Sequence, residues 1–247
     1  MPRRRRRRRG GGGGRRRQTR RKKKKVLLMM TMLTTTKRLF VFCGGNGNTH
    51  YLRRSFFGTI RSSGSSGSDH YMVVGLGNHT MASQRHSVGF RVVERLCDRL
   101  DLRWSDRRSL FGRVARCDSN KIFLLRPTLF MNESGKSVSR AMKEYGIPSG
   151  NIIVVHDDLE KPLGKIRFKE GGSANGQNGV KSIMQHAQTS AFPRLRIGIG
   201  RPSSRDPAAV SRYVLSKFTR EEQSVVEGGV VESACDAILQ RLDIDDR

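Results

Sequence analysis

"YMVVGLGNHTMASQRHSVGFRVVERLCDRL", Tyr71–Leu100, is the stretch on which the fold turns. It opens with "YMVVGL" (Tyr71–Leu76), a short apolar run with the character of a buried strand, which stops at a Gly-Asn turn. In "HSVGFRVVERLCDRL" the residues Val88, Val92, Val93, Leu96 and Leu100 recur at the spacing of one helical face. A strand that hands over to an amphipathic helix is the repeating unit of an α/β layer fold. His86 stands at the mouth of that helix. Two readings of it stand: a helix-start residue that happens to be imidazole, or a base held over a pocket.

Working outward, the same alternation continues. "KIFLLRP" (Lys121–Pro127) reads as a strand ended by proline, and "ESGKSVSRAMKEYG" (Glu133–Gly146) as a helix closed by a glycine. "NIIVVHDD" (Asn151–Asp158) is apolar until it meets charge, the pattern of a central strand. "KIRFKE" (Lys165–Glu170) alternates like a half-exposed strand, "NGVKSIMQHAQ" (Asn178–Gln188) is a short helix, and "RLRIGIG" (Arg194–Gly200) another strand. The spacing predicts one long final helix over Thr219–Leu242, with Thr219 and Glu222 set as a capping box. The expectation is a single α/β domain over residues 69–247, with helices on both faces of one sheet.

Charge divides the chain at the same boundary. Residues 1–68 hold 21 of the 49 Lys and Arg and none of the 21 acids, so the remainder carries 28 − 21 = +7 of the +28 total. A moderately basic body favours a polyanionic partner such as nucleic acid, but does not require one. Residues 1–25 are low-complexity arginine, glycine and lysine, either a nucleic-acid-binding arm or an untranslated upstream extension of the gene model. Met29, Met30 and Met32 offer alternative starts. Residues 29–68 are basic, hydroxyl-rich and acid-free, which predicts a mitochondrial transit peptide; a disordered basic linker, with a cytoplasmic protein, is the alternative. The front apolar run "VLLMMTMLTTT" is too short and threonine-rich for a membrane span. Cys43, Cys97, Cys117 and Cys235 are scattered, against a zinc knuckle or a disulfide framework.

Pockets in such sheets form beyond the carboxyl ends of strands. The polar residues at these exits are Asn78 and His86 after the first strand, Asn132 beside Met131 after the second, and His156, Asp157 and Asp158 after the central one. Asn178 closes the glycine-rich loop "GGSANGQNG". Structural readings stand beside these: Asn78 as a turn residue, Asn132 and Asn178 as helix N-caps, Asp157 as a loop carboxylate. Other chemistries fail. The phosphate-binding loop that Gly135-Lys136-Ser137 suggests needs a glycine where Phe130 stands. No G-x-S-x-G elbow and no metal-ligand spacing occurs, so no metal or cofactor is expected. One histidine, one carboxylate and several amides suit water-mediated hydrolysis of an activated acyl bond, most readily an ester.

The motifs "VGLGN" and "RHSVG", "LFMNESGKSV", "VVHDDLEKPLGKIRFKEGGSANGQNGVKSI" and "PRLRIGIGRP" follow one another in the order and spacing of bacterial-type peptidyl-tRNA hydrolases, which the chain resembles over residues 71–242. The resemblance implies a single α/β domain with a mixed sheet, usually monomeric and needing no metal, acting on peptidyl-tRNA. It implies His86 as the base that activates water and Asp157 as its supporting carboxylate. Asn78, Asn132 and Asn178 match asparagines that hold the substrate, Phe130 and Met131 would line the cleft, and Lys169 and Arg196 match positions that bind tRNA phosphates. Three departures accompany it: His79-Thr80 where the family has Pro-Gly, Gln177 where it has histidine, and Ser87 where bacteria often have asparagine. The first predicts a looser turn at Asn78, the second a weaker substrate contact. The competing function is a non-catalytic RNA-binding protein on the same fold.

Overall fold

Met72 and Val74 of the first strand face one way and Val73 the other, and all three are fully buried. That strand is therefore covered on both sides, which its unbroken apolar run anticipates. The computed structural model describes residues 69–119 and 121–244; the basic leader proposed for residues 1–68 lies outside them. The described residues form a single α/β domain around a seven-stranded mixed sheet.

In chain order the strands are β1 (Tyr71–Gly75), β2 (Ser105–Arg107), β3 (Gly112–Cys117), β4 (Ile122–Pro127), β5 (Ile152–Asp158), β6 (Ile166–Lys169) and β7 (Arg194–Gly198), and their order across the sheet is β2-β3-β4-β1-β5-β7-β6. β1 is parallel to β4 and β5, and β5 to β7. The edges are antiparallel, β2 with β3, β3 with β4, and β6 with β7.

The helices are α1 (Val88–Arg99), α2 (Ser134–Tyr145), α3 (Asn178–Ala187), α4 (Pro207–Val214), α5 (Arg220–Val225) and α6 (Val231–Leu242). On one face Val73, Leu124 and Val155 pack with Val92 and Leu96 of α1 and Ile238 of α6. On the other Val74, Leu125 and Val154 pack with Val138 of α2 and Ile183 of α3. Each such side chain contributes about 1.5–3 kcal/mol relative to exposure.

One element differs from the sequence reading, and three were not legible in it. The final helix is not one α-helix: α5 begins after Thr219 with its capping box formed, then passes through a π-helical turn, Val226–Val230, before α6. "VEGGV" places two glycines there, and the weak helix former lets the ladder slip by one residue. β2 and β3 escape notice because arginines interrupt their alternation at Arg107, Arg113 and Arg116. α4 hides in a Ser-Pro-Arg-rich run, although Asp206 caps it and Pro207 opens it.

The connectivity decides where a site can form. β1 lies between β4 and β5, so the chain leaves β1 toward one side of the sheet and later returns to the other. A crevice opens at such a switch point, outside the carboxyl ends of the parallel strands. Asn78 follows β1, Phe130–Asn132 follow β4, and Asp157 closes β5. The sequence exits converge because the sheet makes them neighbours.

Candidate active site

His86 sits in a 3-10 turn, Arg85–Ser87, that runs straight into α1. Two glycines bring that turn to the sheet. A Cβ on Gly75 of β1 would stand 2.5 Å from the Gly89 carbonyl oxygen, and one on Gly89 would collide with the carbonyl oxygen of Val155 in β5. Without side chains at both, the first turn of α1 lies against β1 and β5. The imidazole is thereby lowered onto the carboxyl end of β5, where Asp157 waits.

His86 Nδ1 and Asp157 Oδ2 are 2.8 Å apart. Asp157 is only 3% exposed, at the end of a strand buried along its whole length. Its other oxygen, Oδ1, accepts a hydrogen bond of 3.0 Å from the Gln177 side-chain amide. Burial alone would lower the His86 pKa, but the charge of Asp157 and the hydrogen bond to it outweigh that and leave it raised. Burial would raise Asp157, but the His86 charge and hydrogen bond, with help from Gln177 and His156, hold it below the usual carboxylate range. In neutral His86 the carboxylate draws the proton to Nδ1, so Nε2 keeps a free lone pair. Such a nitrogen can take a proton from water.

Around this pair runs a cleft of about 720 Å³. Asn78, His86, Phe130, Met131, Asn132, Asp157, Lys169, Asn178 and Arg196 all line it, so every site residue expected from the sequence is brought to one place. Asn78 is buried, and its Oδ1 accepts the Met131 backbone N–H at 2.8 Å. Its amide nitrogen is then the group it has for the cleft. Asn132 and Asn178 are exposed and do not cap: the cap of α3 is Gln177, whose side chain accepts from Val180. Phe130 is 60% exposed, an apolar surface standing free over the cleft. Lys169 Nζ donates to the Ser173 carbonyl at 3.0 Å, and desolvation, Arg194 and Arg196 together hold its pKa below the usual range. Arg196 is paired with Asp158 at 2.8 Å, which fixes its guanidinium on the cleft wall.

Three residues gain roles that sequence reasoning did not give them. Ser87 Oγ accepts the Asn78 N–H at 3.0 Å and donates to the Met81 carbonyl at 2.9 Å. The turn that lacks Pro-Gly is therefore held from inside by Ser87. Gln177, where the family has histidine, bonds the carboxylate that faces His86. Arg85, beside His86, is buried and donates to Ser216 Oγ at 2.7 Å, pairs with Glu222, and lies over the Tyr213 and Phe218 rings. It clamps the His86 turn to the C-terminal segment. No spacing in the sequence signals that contact, which spans more than a hundred residues.

Among the described residues no group of three or more His, Cys, Asp or Glu is placed to hold a metal ion, and no helix is long and apolar enough to cross a membrane.

Fold and site together define a class: a doubly wound α/β domain with a histidine–carboxylate pair in its switch-point crevice. The family model of peptidyl-tRNA hydrolase matches residues 72–245. A peptidyl-tRNA hydrolase of Geobacillus kaustophilus is 42% identical over 167 residues, 66% of this chain and 88% of its own. A mouse protein described as "Probable peptidyl-tRNA hydrolase" is 40% identical over 183 residues, 70% of this chain and 85% of its own. The crystal structure of peptidyl-tRNA hydrolase from Acinetobacter baumannii superposes with a TM-score of 0.65 at 36% identity, covering 73% of this chain and 92% of that one. The chain belongs to the peptidyl-tRNA hydrolase family.

Proposed function

We propose that this protein hydrolyses the ester joining a peptide, or an N-blocked amino acid, to the terminal ribose of tRNA, with His86 as general base. Its family membership supports the ester chemistry, and the 2.8 Å contact between His86 Nδ1 and Asp157 Oδ2 is the observation that carries the mechanism. A water on Nε2 gives up its proton as its oxygen attacks the ester carbonyl carbon. Asp157 stabilises the imidazolium that forms. Amide N–H groups of Asn78, Asn132 and Asn178 hold the peptide backbone and the developing oxyanion. The tetrahedral intermediate then collapses: the carbon–ribose oxygen bond breaks, the imidazolium returns its proton to the ribose oxygen, and acid and free tRNA leave.

On this reading Phe130 and Met131 line the peptide path, while Lys169 and Arg196 hold tRNA phosphates without reading sequence. The enzyme works as a monomer and without a metal. Residues 29–68 direct it to mitochondria, which their acid-free, basic, hydroxyl-rich composition supports; a fusion of that segment that stays in the cytosol would refute the address.

The test is turnover of a purified peptidyl-tRNA. His86→Ala should lower the rate by about 10²–10⁴-fold with the fold retained. Full activity in that variant would remove His86 from the role. Salt-sensitive tRNA binding by the native protein without ester cleavage would favour the binding-protein reading instead.

A further inference from the structure

Gln177 stands between the hydrolytic pair and Met131. It is buried at the N-cap of α3, and its side chain reaches three groups. Oε1 accepts the Val180 N–H at 2.7 Å, and Nε2 lies 3.0 Å from Asp157 Oδ1 and 3.3 Å from Met131 Sδ. The orientation of the amide is not free. Reversed, it would set its NH2 against the Val180 N–H and its oxygen against a carboxylate, two repulsive contacts in place of two bonds. The helix terminus therefore dictates that a donor faces Asp157.

These contacts close a ring. His86 bonds Asp157, Asp157 accepts from Gln177, Gln177 touches Met131, the Met131 N–H bonds Asn78, and the Asn78 N–H bonds Ser87, the covalent neighbour of His86. Gln177 is the link between the half of the ring that carries the base and the half that faces the substrate. Each Asp157 oxygen has one donor, so rotating this buried carboxylate would strand both, at a cost of about 1–3 kcal/mol or more for a charged group.

We propose that Gln177 is a positioning residue of the hydrolytic pair: its amide locks the Asp157 carboxylate toward His86 and ties that geometry to Met131 at the peptide path. This rests on the reading of His86 and Asp157 given above. The charged and titratable groups near the pair are few. His156 precedes Asp157 on β5 and, deeply buried, turns its Nδ1 to the Asp157 carbonyl at 2.7 Å. Asp158 points to the other face of β5, paired with Arg196. Arg194 of β7 is spent on the carbonyls of Gly172 and Ser173, and Lys169 of β6 on Ser173.

Gln177→Asn separates the two jobs of the side chain. Asparagine is a good N-cap, so α3 keeps its start, but the shorter chain withdraws the amide from Asp157. The expected result is a retained fold with a modestly lower melting temperature, since Asp157 Oδ1 loses its donor, kcat lower by about tenfold, and KM within about twofold, because orientation and not uniform binding is lost. By NMR, with no substrate present, the His86 imidazole should titrate lower, since a carboxylate no longer held toward it stabilises the imidazolium less. Gln177→His, which restores a ring N–H, should recover most of kcat. A Gln177→Asn enzyme with native kcat and an unmoved His86 titration overturns the proposal, as does a raised KM at native kcat, which would make Gln177 a substrate contact. Should the native protein cleave no peptidyl-tRNA, the proposed function falls, while the His86 titration still decides whether Gln177 orients the pair.

Discussion

At the scale of single residues, the proposed mechanism depends on how a buried carboxylate sets the protonation of one imidazole. His86 has its pKa raised and Asp157 has its pKa lowered by the same contact. A base must be unprotonated, so kcat/KM should fall on acidification through a midpoint above the usual imidazole value of about 6.5. In Asp157→Asn that midpoint should move down, with a slower rate at every pH. A pH–rate profile checks this, and an acid limb left in place by the substitution would argue against the pairing. Linkage gives the same contact a stability signature. The His86 contribution is fully present below the unfolded imidazole pKa and is lost as pH rises through the raised folded value. The Asp157 contribution is present above the unfolded carboxyl pKa and is lost as pH falls through the depressed folded value. The pair therefore stabilises the fold most in the weakly acidic window between the two unfolded values, about pH 4 to 6.5.

At the scale of elements, the active geometry depends on how closely α1 approaches the sheet. Gly89 in the first turn of α1 meets the Val155 carbonyl oxygen and the Leu76 backbone, with no room for a methyl group. Gly89→Ala should therefore push the start of α1, and His86 with it, away from β5. The expected cost is about 1–3 kcal/mol of stability, from overpacking against backbone that cannot yield. Activity should fall beyond what the folded fraction explains, because an imidazole displaced by about 1 Å loses about 10²-fold in rate. Thermal melting combined with kcat at a temperature where the variant is folded separates the two effects; a stable, fully active variant would show that the approach of α1 does not set the site. Arg85 holds the same turn from the other side, through Ser216, Glu222 and the Tyr213 and Phe218 rings. His86 is thus fixed between the sheet and the C-terminal segment.

At the scale of the whole molecule, basic side chains gather along one cleft. Lys169, Arg194, Arg196 and Arg201 all border the cleft, so the field that would attract an acceptor-stem phosphate leads to the reacting bond. Binding of tRNA should weaken with salt, and Lys169→Ala and Arg196→Ala should each flatten the slope of log K against log salt by about one phosphate contact. The two variants should differ in stability. Removing Arg196 leaves the buried Asp158 carboxylate without its ion pair, whereas the Lys169 side chain donates only to one loop carbonyl. Affinity titrations over a range of salt concentrations test the first statement and thermal melts the second. Unchanged slopes in both would take these residues off the tRNA path.

The sequence alone determined the layer architecture, because apolar runs such as "YMVVGL" and "NIIVV" are strands that water cannot touch, and amphipathic runs such as "VGFRVVERL" can bury only one face. It also named the polar residues at the strand exits, since those positions break an apolar pattern for no reason internal to the strand. It did not reveal β2, β3 or α4, where arginine and proline mask short elements whose pairing comes from neighbours. Only the tertiary structure decided that His86 and Asp157, seventy-one residues apart, stand 2.8 Å from each other. It alone showed that Ser87 restrains the Asn78 turn, that Gln177 serves the carboxylate, and that Arg85 reaches the far end of the chain. The physical reason is that periodicity records which side of an element faces the core, whereas contacts between elements follow from strand order and close packing, which leave no spacing in the sequence to read.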